Sequence, residues 1–285
     1  MEMKGVNSIR FHWSAPTFEA SRGDFIRLCH EAENAGLESI HVPAAGSLTD
    51  ALALAVAAGA ETPRIRFRVG WDAASVLATL TGLELIKTWE SLKGRIIIHM
   101  ILGNSETRVN DDAARAADFL DNCRQLFPNG PVPGFDVEGE TAEAAVLAIK
   151  HGDCLWRLPG RQQQVYADAL PVLHFGKDVG LHCAAIARET REQALEAAAC
   201  LSIQLEDKAS WITSSLWIGK LAGWSDPIAV FAGTFEEVAR ELFVFKKNSI
   251  YQFLIRSWHD NKELSNFCAR VIPLVRALEK EPRSA

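Results

Sequence analysis

The stretch TWESLKGRIIIHMILGNSE, residues 88–106, decides how the whole chain is read. Its first part carries apolar residues at helical intervals, and Gly94 interrupts it. RIIIHMIL (95–102) then runs as an apolar strand that stops on the small polar residues GNSE. A helix, a glycine turn and a strand greasy on both faces make up one step of a repeating α/β unit. The pattern continues outward. SIRFHW (8–13), SIHVPA (39–44) and IRFRVGW (65–71) precede it as strand candidates. GFDVEG (134–139), DCLWRL (153–158), VGLHCAAIA (179–187) and IYQFLIRSW (250–258) follow.

Helical patterns fill the gaps. In GDFIRLCHEAENAG (23–36), Phe25, Ile26, Cys29, Ala32 and Ala35 keep a helical rhythm, and Gly36 falls where a helix end needs positive φ. Thr141 is a candidate N-cap for the helix ending at Gly152. Thr190 with Gln193 reads as a capping box. Eight strands alternating with helices predict a (β/α)8 TIM barrel. No linker rich in Pro, Gly or Ser divides the chain, so residues 1–285 are read as one domain. The alternative, an open doubly wound sheet, is disfavoured because no Gly-x-Gly-x-x-Gly follows the first strand.

The 285 residues are 48% hydrophobic and 23% charged, enough for a sizeable core. A formal charge of −6 without a basic block excludes a nucleic-acid partner. The six cysteines lie scattered without metal-ligand spacing, which predicts reduced thiols. MEMKGVNSIRFHW lacks the apolar run of a signal peptide, and DALALAVAAGAE (50–61) is too short to span a bilayer. A cytoplasmic protein with no membrane contact is the expectation.

In a barrel, chemistry gathers where strands end at their C-terminal face. Those exits are His12 and Trp13, residues 43–46, Trp71 and Asp72, and residues 103–106. Continuing round the barrel they are residues 138–141, Trp156 and Arg157, His182, and Trp258 with His259.

At this point GLESIHVPAAGSLTDALALAVAAGAETPRIRFRVG, followed by TWESLKGRIIIHMILGNSE, resembles the bacterial luciferase-like flavin monooxygenases, nearest to the alkanesulfonate monooxygenases. Gly36, Pro43, Asp50, Phe67, Thr88, Gly94, Arg95 and Gly103 match that pattern. HCAAIARETREQALEAAACL is similar to the family's seventh strand and the helix after it. SLWIGKLAGWSDPIAVFAGTFEEVA (215–239) follows its flexible loop and the next helix start. The likeness covers most of the chain, with a shortened insertion around residues 110–134. It implies a homodimeric barrel that takes reduced FMN from a separate flavin reductase and uses O2 on a small-molecule substrate.

The family's site residues carry over poorly. Its Gly-Gly-Ser-Ser phosphate loop at the fifth-strand exit reads EGET here, keeping Gly139 and the hydroxyl of Thr141 but bringing in Glu138 and Glu140. A phosphate dianion wants N–H groups, hydroxyls and a helix N-terminus. A carboxylate at about 5 Å, with an effective dielectric near 20, costs it on the order of 3 kcal/mol before screening. The seventh-strand arginine becomes His182, and the histidine two residues on becomes Ala184. The closing-loop arginine falls at Trp224, the eighth-strand tyrosine at Trp258, and the cysteine after the second strand at Leu48. The sixth-strand Thr-Trp-Gly reads Arg157 to Pro159.

Candidate cofactor contacts are therefore Asn104 and Ser105 at the flavin ring edge, with Gly139, Glu140, Thr141 and Arg157 around the phosphate. Asn104 and Ser105 read equally well as an ordinary turn. Candidate catalytic residues are His182, His12, Trp224 and Trp258. A strand histidine is more commonly a hydrogen-bonded wall residue, and His182 gains weight from its matched position. Trp13, Trp71, Trp156, Trp224 and Trp258 read either as core or as an aromatic pocket mouth. Glu138 and Glu140 read as surface loop acids, as contacts to a cationic ligand or as a general base, and the preferred reading is an Arg157–Glu pair across neighbouring strand ends.

Three functions fit the sequence. One is a two-component flavin monooxygenase for an apolar or aromatic substrate. Another is a relative that has lost catalysis and serves as a ligand-binding or partner subunit. The third is an enzyme using another cofactor or none.

Overall fold

A computed structural model describes residues 8–14, 22–42, 48–72, 80–102, 109–127, 132–200, 210–219, 227–256 and 262–280. Strands β1 (Arg10–Ser14), β2 (Ser39–Val42), β3 (Arg66–Asp72), β4 (Ile96–Ile101), β5 (Gly134–Glu138), β6 (Cys154–Arg157) and β7 (Asp178–Arg188) follow one another round a sheet. β10 (Gln252–Arg256) lies beside β1 and also pairs with β7. These eight close a parallel (β/α)8 barrel, and they are the eight strands expected from the sequence. β8 (Leu216–Gly219) and β9 (Ile228–Thr234) are additional. They pair antiparallel, and β9 runs parallel to the second half of β7, from Ala184 to Arg188. The segment read as flexible loop and helix start therefore contains two strands, because LWIG and IAVFAG are apolar enough to pair with each other.

Contacts group the chain into two compact units, Met1–Phe11 with Leu158–Leu170 and Leu181–Ala285, and His12–Arg157 with Pro171–Gly180. In the second, larger unit the strands alternate with α1 (Arg22–Asn34), α2 (Leu48–Glu61), α3 (Leu80–Ser91), α4 (Val109–Gln125) and α5 (Ala142–His151). α4 occupies most of the stretch read as a shortened insertion. Every second strand residue is apolar and buried: Ile40, Phe67, Val69, Trp71, Ile96, Ile98, Met100, Phe135, Val137 and Leu155. This is the face that meets the helices, as Trp71 shows by packing on Phe119 of α4 with ring centroids 3.9 Å apart.

Local signals are met where sequence placed them. Gly36 and Gly94 both take φ +79, the left-handed region that glycine tolerates. Arg95 then donates to the carbonyls of Thr62 at 2.6 Å, Gly59 at 2.8 Å and Ile65 at 3.0 Å, tying the end of α2 to the start of β3. Thr141 caps α5 by accepting from the Ala144 N–H. Thr190 and Gln193 form the reciprocal cap expected at the start of α7 (Arg191–Cys200).

α6 (Gln162–His174) begins in the first unit, which also holds α7, α8 (Phe235–Lys246), α9 (Lys262–Asn266), a π-helical turn (Phe267–Val271) and α10 (Ile272–Lys280). Ala184, Ile186, Ala198, Trp217, Ile228, Val230 and Ala232 form one buried apolar cluster. Glu279 accepts from the Ile9 N–H, Lys246 and Arg276, all at 2.7 Å. All six cysteines are free thiols, as expected, and burial pushes that of Cys123 up to about 12.

Candidate functional site

Alternation has a second consequence in the larger unit. Most of the residues between the apolar ones, Gly70 and Ile97 apart, are polar: His12 and Ser14 on β1, Ser39 and His41 on β2, Arg68 on β3, His99 on β4, and Asp136 and Glu138 on β5. All but Glu138 are buried. Burying that many polar groups costs several kcal/mol unless each finds a partner, and they find them in one another.

Two connected groups result. In the deeper one, Arg68 Nε donates to Asp136 Oδ2 at 2.6 Å and Arg68 Nη1 to Ser39 Oγ at 2.7 Å. Ser39 Oγ also meets His12 Nδ1 at 2.8 Å, and Trp156 Nε1 donates to Asp136 Oδ2 at 2.9 Å. The Arg68 guanidinium lies 4.6 Å over the Trp156 ring, and His12 meets that ring edge-on at 5.4 Å. Gly180 accommodates the indole, since a Cβ there would come within 2.5 Å of it. An ion pair this dry is supported by the further hydrogen bonds of Arg68 Nη1 to Ser39 and of Trp156 to Asp136 Oδ2.

The other group reaches the strand ends. His99 Nε2 and Glu138 Oε2 are 2.6 Å apart. Glu138 is the last residue of β5 and its side chain is 24% exposed, whereas that of His99 is fully buried. The His41 ring stands 5.0 Å from that of His99, and its Nδ1 is 3.2 Å from Ser14 Oγ. Gly70 makes room for it, because a Cβ at that position would lie 2.5 Å from His41 Nε2. His99 Nδ1 is buried without a hydrogen-bond partner among the described residues. With the proton on Nε2 directed at Glu138, Nδ1 carries an acceptor lone pair. That is the arrangement of a carboxylate-oriented base.

The expected site residues divide as follows. His12 is a hydrogen-bonded wall residue of the deeper group. His182 lies on β7 in the other unit and is 7% exposed. Arg157 and Glu140 form the expected pair across strand ends, Nε to Oε2 at 3.1 Å, with Nη2 also donating to the Glu140 carbonyl at 2.9 Å. Glu138, the neighbouring acid, meets His99. Asn104, Ser105, Trp224 and Trp258 lie outside the described residues. Trp13 and Trp71 are buried in the core, and Trp156 belongs to the deeper group, so these three indoles do not form a pocket mouth. Sequence reasoning missed Arg68, Asp136, His99, His41 and Ser39. Their signal was polar residues at every second position of otherwise apolar strands, in SIHV, RFRVG, IIIHMI and GFDVE.

The EGET loop tests the flavin phosphate implied by the resemblance. The hydroxyl of Thr141 accepts from the Ala144 N–H at 3.3 Å. Gly139 N–H donates to the Trp156 carbonyl at 3.2 Å. A Cβ on Gly139 would come 2.9 Å from Ala144 Cβ, so contact with its own helix accounts for that glycine. The guanidinium of Arg157 is engaged twice by Glu140, and Glu138 adds another carboxylate. These residues do not fit a phosphate dianion.

No protein-family model matches the sequence, and no curated protein matches it either. Solved structures do match in fold. EDTA monooxygenase EmoA from Chelativorans sp. BNC1 superposes with a TM-score of 0.76 at 14% identity, covering 98% of this chain and 96% of that one. Riboflavin lyase RcaE, solved with modified FMN and substrate riboflavin, gives 0.73 at 13% identity over 97% and 93%. The coenzyme F420 dependent tetrahydromethanopterin reductase from Methanopyrus kandleri gives 0.71 at 13% identity over 94% and 99%. At these identities the likeness is one of fold, and it runs over nearly the full length of both chains in each case.

Proposed function

We propose that this chain is an oxidoreductase of monooxygenase type, acting with a reduced flavin and O2 on a small apolar or aromatic organic substrate. The observation that carries the reading is the Glu138 carboxylate at the C-terminal end of β5, paired with His99 of β4, on the face where barrel enzymes do their chemistry. Its reaction class comes from monooxygenases among the fold's neighbours. In this reading residues 1–285 act as one catalytic domain in a cytoplasmic homodimer, and a separate reductase supplies the flavin. No helix among the described residues is long and apolar enough to cross a membrane. Asn104 and Ser105 are assigned to the ring edge of the flavin, His182 to a pocket contact, and Trp224 and Trp258 to the pocket's closure. Glu138, part-exposed at the strand end and backed by the enclosed His99, accepts or returns a substrate proton.

The test supplies reductase-generated reduced flavin and labelled O2 to a panel of aldehydes, alkanes, thioethers and phenols. One labelled oxygen atom appears in the product, and Glu138→Gln lowers turnover by roughly 10-fold or more. The acidic EGET loop favours a second reading, a catalytically silent ligand-binding or partner subunit. Absence of labelled product across the panel, with flavin reoxidation unchanged by the protein, would decide for it.

A further inference from the structure

We infer that this barrel discriminates against a flavin with a terminal phosphate and takes the phosphate-free form, an isoalloxazine on an uncharged polyhydroxyl chain. The inference deepens the flavin reading above and rests on it. The turn from β5 into α5 places a strand exit against a helix N-terminus, a position suited to an anion. Here the side chains work against one. Glu138 and Glu140 stand one residue to either side of Gly139, with side chains 24% and 39% exposed, so both carboxylates are within reach of a ligand. The guanidinium beside them is held by Glu140 through Nε at 3.1 Å and by the Glu140 carbonyl through Nη2 at 2.9 Å. Turning Arg157 toward a phosphate would break both bonds and leave Glu140 facing the dianion. Thr141 already spends its hydroxyl on the Ala144 N–H.

The same groups suit hydroxyls. Carboxylate oxygens are acceptors, and an O–H donated to one makes a short charge-assisted bond of about 2.5–2.7 Å. A ribityl chain offers several such donors and no charge. The loop thus rejects the phosphate and can hold the polyol by the same two side chains.

Anaerobic titration with reduced riboflavin and reduced FMN, followed by the fluorescence of the eight tryptophans, tests this. Riboflavin is expected to bind at least about 10-fold more tightly than FMN. Raising the salt concentration narrows the gap by strengthening FMN alone, as screening weakens repulsion. Glu140→Gln also narrows it from the FMN side. FMN binding as tightly as riboflavin would overturn the inference and leave the flavin reading standing. If neither flavin saturates the protein up to millimolar concentration, the inference falls together with the reading beneath it. The salt comparison uses the unaltered protein, so the result does not depend on any variant folding.

Discussion

Asp136 and Glu140 lie four residues apart, on and just beyond β5, and each holds an arginine. The Arg68–Asp136 pair is dry, with side chains 2% and 5% exposed, and it shares Ser39 and Trp156 with its neighbours. The Arg157–Glu140 pair is wetter, at 15% and 39%. The chemistry is the same and the surroundings differ. Inside the barrel an ion pair completes a network in which any missing member strands a charge. At the exit the pair sets the charge of a loop that a ligand can reach, and water competes for both partners.

The largest effect that exposes this contrast is Arg68→Ala. It leaves the Asp136 carboxylate buried with Trp156 as its remaining named partner, and should cost about 3–5 kcal/mol in denaturant unfolding. Replacing both partners, Arg68→Met with Asp136→Leu, should recover much of that loss, because no stranded charge remains. A single-variant loss below about 1 kcal/mol would mean that water reaches the pair and that the contrast drawn here is wrong.

Gly70→Ala comes next. Its Cβ would meet His41 Nε2 at 2.5 Å, against a ring already packed beside His99. Overpacking of this kind costs about 1–3 kcal/mol. Paired with His41→Ala, the same substitution should be nearly neutral, which would show that the ring is the obstacle.

A third carboxylate extends the comparison to pH. Burial pushes the pKa of Glu33 up, but the backbone N–H groups of Ile65 and Arg64 and the Arg64 guanidinium outweigh it and hold the group below its ordinary value of 4.5. A folded-state pKa below the unfolded one adds stability that is fully present above the unfolded value. That stability is lost as pH falls through the folded one. Below pH 4.5 the unaltered protein should therefore lose stability more steeply than Glu33→Gln, as read by denaturant midpoints across an acid series.

How much of this was legible in the sequence depends on how local each feature is. Gly36, Gly94, Thr141 and the Thr190–Gln193 cap were readable because a turn or cap is decided within a few residues. The eight barrel strands were readable because apolar runs separated by helical patterns are repetitive. The β8–β9 pair was not, since its strands are short and the stretch was read as a loop by resemblance. The interior network was hidden for another reason. Arg68 and Asp136 are 68 positions apart, and their contact depends on how strand registers add up around the barrel. Each strand separately shows polar residues at alternate positions without showing which strand supplies their partners. Glu138 was seen as a loop acid, but its contact with His99 was not, because nothing local brings a residue 39 positions away behind it. Trp224, Trp258, Asn104 and Ser105 lie outside the described residues, so their reading rests on sequence alone.

The smallest effect belongs to the exit pair and sharpens the contrast most. Arg157→Ala should change stability by no more than about 1 kcal/mol, since exposed pairs rarely contribute more. Its effect on ligand charge preference should run the other way. Removing the guanidinium while Glu138 and Glu140 remain makes the loop more acidic, so reduced FMN should bind more weakly still and riboflavin should change little. Glu140→Gln should produce the reverse at a similarly small cost in stability. If both variants shifted FMN in the same direction, loop geometry would govern binding there and charge would not. Opposite shifts from two nearly silent substitutions would locate the selectivity in the charge balance of the EGET loop.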